Sequence, residues 1–159
     1  MTKTIIEMSE EELNDNIQSE NIRVCVIGIG RIGLPTALSF ANSGFNTIGM
    51  DINEILVEKI NNGIFPLKDE PGYDVMFDKV RNEKKFKATS KIDVVSNSDV
   101  ILLSLPTPMN SSNQPNYSAL KSVGKQLHDY LASGTLVIIE STIEPGFVEN
   151  MLIPIIEGD

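Results

Sequence analysis

The chain has 159 residues, 41% of them hydrophobic and 22% charged, with a formal net charge of −9. That length suits one domain with a real core, and the acidic balance argues against nucleic acid or an anionic membrane as partner. No apolar run approaches a membrane span, no signal-peptide pattern opens the chain, and a single cysteine permits neither an internal disulfide nor a cysteine-based zinc site, so a cytoplasmic protein without a metal centre is expected.

Residues 1–20 precede the first strand. Ser9 and Glu12 have the spacing of a capping box, and three glutamates in a first turn suit the helix dipole. The spacing predicts a helix over 10–18, an extension lying outside the main sheet with a packing role. Residues 21–159 form the main domain.

The stretch from Arg23 to Asp51 organises that domain. A short apolar run over 23–29 predicts a strand buried on both faces of a parallel sheet. Gly28, Gly30 and Gly33 then make G-x-G-x-x-G. Gly28 permits a tight turn, Gly30 a close approach of backbone to a pyrophosphate, and Gly33 close packing of the helix that follows. That helix N-terminus offers free N–H groups and partial positive charge to phosphate. A second strand over 47–50 ends in Asp51, about 20 residues beyond the glycines, where a carboxylate hydrogen-bonds an adenosine ribose. Asp51 would repel a 2′-phosphate, and Ile52, Asn53 and Glu54 supply no Arg to hold one. NAD is therefore favoured over NADP.

A helix follows over 53–62, with Ile55, Leu56, Lys59 and Ile60 as a partial stripe and Gly63 as its stop. Residues 65–72 read as a turn-rich loop, 73–82 as a helix, 86–89 as a short strand and 92–97 as one helical turn. Residues 99–105 form a second strongly apolar strand ending in Pro106, Thr107 and Pro108. After a polar loop over 109–116, an amphipathic helix runs over 117–132, with Leu120, Val123, Leu127 and Leu131 on one side and Gly134 ending it. Residues 135–139 form a buried strand that Glu140, Ser141 and Thr142 terminate, and Pro145 is expected to open a last helix to about 156.

Strands alternating with helical connections predict an α/β Rossmann-type fold. The sheet is doubly wound and parallel, with about five strands in order 3-2-1-4-5 and the sixth lacking. Ligands bind such sheets beyond the carboxyl ends of the strands, where the glycine turn, Asp51, residues 104–108 and residues 140–142 meet. Thr107 and Thr142 are each a turn residue or a hydroxyl donor to cofactor. Glu70, Glu140 and Glu144 read as strand-end, loop or helix-start residues. Cys25 reads as a small hydrophobe inside its strand, and His128 as a surface or packing residue. No self-contained catalytic constellation is present in the sequence.

These motifs resemble one family. G-I-G-R-I-G-L-P-T-A at 28–37, D-I-N at 51–53, N-G-I-F-P-L-K-D-E-P-G at 62–72, L-S-L-P-T-P at 103–108 and E-S-T-I-E-P-G at 140–146 look like the NAD-binding part of the UDP-glucose/GDP-mannose dehydrogenases. The form of the glycine turn is most like the branch acting on UDP-N-acetyl-hexosamines. The resemblance implies an oxidoreductase of polysaccharide biosynthesis. A C6 alcohol of a UDP-sugar, UDP-N-acetyl-mannosamine or similar, would become a carboxylate while two NAD are reduced, through cysteine thiohemiacetal and thioester stages. It also implies backbone contact of Arg31 and Ile32 with pyrophosphate, Asp51 on the adenosine ribose, Thr107 lining the cofactor, and Thr142 beside the nicotinamide positioning a catalytic water.

Cys25 does not match the family's nucleophile, and the motif carrying that nucleophile is not in this chain. The expectation is the N-terminal cofactor domain of a longer enzyme, binding NAD without turnover and meeting its UDP-sugar only within the full-length protein. Two other readings stay open: a stand-alone NAD-binding or regulatory module, and the cofactor domain of a hydroxyacid dehydrogenase. The strand over 135–139 would be a bare sheet edge, through which homo-oligomers are expected.

Overall fold

A computed structural model describes residues 3–158. Its sheet comprises β1 (Arg23–Ile27), β2 (Asn46–Met50), β3 (Phe86–Thr89), β4 (Val100–Leu103) and β5 (Leu136–Ile139). All neighbours are parallel and the order is β3-β2-β1-β4-β5. The fold is thus the Rossmann-like α/β arrangement that the sequence predicts.

Two cores lie on opposite faces of this sheet, and alternation along the strands divides them. Val24 and Val26 of β1 enter one core, while Cys25 and Ile27 enter the other. In β4, Leu102 joins the first and Ile101 and Leu103 the second. Helices α2 (Gly33–Asn42), α3 (Glu54–Asn61) and α4 (Tyr73–Asn82) contribute buried residues to the first core. The 3-10 helix Ile92–Asn97 and helix α5 (Ser118–Tyr130) cover the second, together with the C-terminal helical segment. Burial on both faces explains why the central strands β1 and β4 read as continuous apolar runs, whereas β5, expected to be buried, lies at the sheet edge and leaves Leu136 and Ile138 exposed.

The N-terminal helix, α1 (Glu10–Gln18), is capped as expected. Ser9 N–H donates to Glu12 at 2.8 Å, and Glu12 N–H donates to the Ser9 hydroxyl at 3.2 Å. None of its residues is buried. Glu20, just after it, pairs with Lys85 at 3.1 Å, immediately before β3. The extension therefore lies by the amino ends of the strands, away from the glycine turn.

Three local expectations need correction. In α3, Ile60 is buried and Leu56 packs on the first core as expected, but Ile55 is 68% exposed and Val57 is buried in its place, a stripe shifted around the helix. Helix α5 stops at Tyr130, because Leu131 turns extended with ψ 127°; Leu131 still packs on the second core from beyond the helix, and Gly134 follows in the turn before β5. The last helix does not open at Pro145. Gly146 takes a left-handed φ of 82°, which a right-handed helix cannot contain, so a π-helical turn begins at Val148 and continues from Ile153 to Glu157. No helix among the described residues is long and apolar enough to cross a membrane.

Candidate functional site

β1 ends at Ile27 and the chain turns at Gly28, whose φ is 89°. Its N–H donates to Met50 O at 2.8 Å, tying the turn to the end of β2. A Cβ at Gly28 would stand 2.6 Å from Ser104 O, and one at Gly33 would overlap the Gly28 carbonyl. The protein itself therefore requires glycine at both positions. Gly30 is different: its φ is not left-handed, and a Cβ there would meet nothing within 4 Å. Glycine at 30 keeps open space against exposed backbone, and no side chain caps the first turn of α2 beside it. Such a cradle of bare backbone at a helix N-terminus fits a pyrophosphate.

Asp51 lies just past β2, half-buried, with both oxygens in use. Oδ2 accepts the Ile29 N–H at 3.1 Å and Oδ1 the Asn53 N–H at 2.9 Å. The carboxylate is thus fixed in direction beside the glycine turn. It retains lone pairs for a ribose diol, and no Lys or Arg among the described residues pairs with it.

The loops after β4 and β5 are zipped together. Ser141 Oγ accepts the Leu105 N–H at 2.9 Å and sits 2.8 Å from Leu105 O. The Thr107 hydroxyl donates to Thr142 O at 3.0 Å. In this structure the Thr107 hydrogen is engaged within the protein, which leaves its oxygen as an acceptor. Tyr117 anchors the far end of the second loop. Its hydroxyl accepts the Glu144 N–H at 3.0 Å, and its ring packs on Phe147 with centroids 4.2 Å apart.

These segments enclose one cleft of about 670 Å³ at the carboxyl ends of the strands. Gly28, Gly30, Arg31, Ile32, Asp51, Thr107 and Thr142 all line it, whereas Gly33 lies behind, packing against the turn. The Arg31 side chain reaches away to Glu70, with Nε 3.2 Å from Oε1. That size suits a small organic ligand.

Sequence reasoning put residues 140–142 at the ligand end of the sheet but read Glu140 only as a strand-end residue. Its carboxylate accepts the Thr36 hydroxyl at 2.8 Å and the Ser104 hydroxyl, and it lines the cleft with Ser104. The signal was its place directly after β5, at the ligand-binding end of the sheet. Cys25 lies fully buried in β1, where burial pushes its thiol up to about 12, so it is no nucleophile. His128 has Nδ1 2.9 Å from Ile156 O, joining α5 to the C-terminal helix away from the cleft.

The model of the UDP-glucose/GDP-mannose dehydrogenase family, NAD binding domain, matches residues 22–159. The chain belongs to this family. Its part of the family is the domain that binds NAD. The chain is 38% identical over 130 residues to the UDP-N-acetyl-D-mannosamine dehydrogenase of Pyrococcus horikoshii, covering 82% of this chain and 31% of that protein. The solved UDP-N-acetyl-mannosamine dehydrogenase of Staphylococcus aureus superposes with a TM-score of 0.79 at 31% identity, covering 86% of this chain and 32% of that one. A ternary complex of GDP-mannose dehydrogenase from Pseudomonas aeruginosa gives 0.81 at 26% identity, covering 86% and 32%. The chain spans about a third of the length of these relatives.

Proposed function

We propose that this chain is the cofactor-binding part of an NAD-dependent nucleotide-sugar 6-dehydrogenase. Its substrate would be UDP-N-acetyl-mannosamine or a related UDP-sugar, whose C6 alcohol is oxidised to a carboxylate. The observation that carries the cofactor half of this reading is the fixed Asp51 carboxylate beside the open backbone at Gly30. The substrate half rests on the names of relatives such as the Pyrococcus horikoshii enzyme.

In this reading NAD, when bound, supplies the hydride acceptor. Asp51 accepts hydrogen bonds from the adenosine ribose and excludes a 2′-phosphate. The backbone at Gly28, Gly30, Arg31 and Ile32 and the start of α2 hold the pyrophosphate. Thr107 lines the cofactor. Thr142, on the loop held by Ser141 and Tyr117, positions a water near the reacting carbon. The chain alone binds NAD without turnover, because Cys25 is buried and unreactive. The enzyme works in the cytoplasm in polysaccharide biosynthesis.

A chimera tests this directly: the chain replaces the matching third of the Pyrococcus horikoshii enzyme. NADH formation from NAD and UDP-N-acetyl-mannosamine, absent with the chain alone, is the expected result. A folded chimera that binds NAD yet oxidises no UDP-sugar would favour a stand-alone NAD-binding module.

A further inference from the structure

Only three charged residues among those described line the cleft: Arg31, Asp51 and Glu140. Asp51 marks the adenosine side, at the end of β2. A dinucleotide crosses such a sheet at the β1/β4 switch point, one mononucleotide half on each side. The nicotinamide half therefore falls to the β4–β5 side, where Ser104 and Glu140 follow their strands. Glu140 is anchored there by two neutral donors, Thr36 and Ser104. It forms no ion pair with any Lys or Arg among the described residues. The cleft thus holds, at its β5 side, an exposed carboxylate fixed by hydrogen bonds and without an ion-pair partner among the described residues.

We propose that Glu140 tunes the redox-state preference of the site, favouring NAD+ over NADH. The oxidised nicotinamide ring is a cation, and the reduced ring is neutral. A fixed carboxylate in a cleft attracts the first and is indifferent to the second. Such a group favours loading of the oxidant and release of the reduced product. Its position, held by hydroxyls and not by a cation, keeps that charge available. This inference rests on the NAD site proposed above.

The test is calorimetric titration of the chain with NAD+ and with NADH, repeated on Glu140→Gln and on Glu144→Gln. The Gln amide keeps the size and one acceptor oxygen but removes the charge. The wild-type chain is expected to prefer NAD+, and Glu140→Gln to reduce that preference about three- to tenfold, mostly by weakening NAD+. Glu144→Gln, a carboxylate outside the cleft, is expected to leave it unchanged. Independently of any variant, the wild-type preference should shrink as salt rises from about 0.05 to about 1 M. A preference indifferent to Glu140→Gln and to salt overturns the inference while leaving the NAD site intact. Failure of the wild-type chain to bind either form overturns both.

Discussion

Asp51 Oδ2 accepts the Ile29 N–H at 3.1 Å, so the tip of β2 and the first glycine turn are held as one unit. The side chain that would read the ribose also sets the turn that would cradle the phosphates. Asp51→Ala is expected to weaken NAD binding about tenfold or more, since it removes charged acceptors for a diol and also loosens the turn. It should also narrow the gap between NAD and NADP. Titrations of both cofactors with the variant check this.

Gly30 and Gly33 separate binding from folding. Gly33→Ala drives a methyl into the Gly28 carbonyl, and its melting temperature should fall by about 5 °C or more. Gly30→Ala meets no protein atom, so its melting temperature should stay within about 2 °C of wild type while NAD affinity drops. Paired thermal melts and titrations read the difference. A Gly30→Ala variant that binds NAD normally would remove the reason for glycine there.

Arg23 and Asp99 clasp the amino ends of β1 and β4. Asp99 accepts the Arg23 N–H at 2.8 Å and two guanidinium N–H groups at 2.9 and 2.8 Å. Burial alone would raise the Asp99 carboxyl, but the Arg23 donors outweigh it and hold the carboxyl below its usual range. A depressed folded-state value means the stabilisation is present above about pH 4 and is lost as pH falls through the lower folded value. Asp99→Asn should therefore lower the melting temperature at pH 7, and its deficit should shrink progressively below about pH 4. Melts across that range check the sign.

The two sheet edges differ. β3 carries Lys87 at an exposed position, a charge that discourages pairing. β5 is Leu-Val-Ile-Ile, with Leu136 45% and Ile138 38% exposed. Weak self-association of this chain through β5 is the expectation that follows. Sedimentation at increasing concentration should show it, and Ile138→Lys should abolish it. A clean monomer at high concentration would rule it out.

The glycine turn, the end of β2 before Asp51 and the N-terminal capping box were legible because each depends on neighbours within one turn or one strand, and the strand order because helical crossovers between parallel strands leave few topologies. Helix α4 fell where its pattern placed it for the same reason. The place of residues 140–142 at the cleft was legible, but the anchoring of the Glu140 side chain was not, since its partners Thr36 and Ser104 lie 104 and 36 residues away. The spent hydroxyl of Thr107 was hidden likewise, because its acceptor stands on the loop after another strand. At the last helix Pro145 read as its first residue, but the left-handed Gly146 delays the start.

The measurement closest to the central claim is calorimetric titration of the unmodified chain with NAD and, separately, with NADP. The account predicts saturable binding of NAD at one site and much weaker binding of NADP, because the fixed Asp51 carboxylate repels a 2′-phosphate. Binding of NADP as tight as NAD, or of neither, would contradict it.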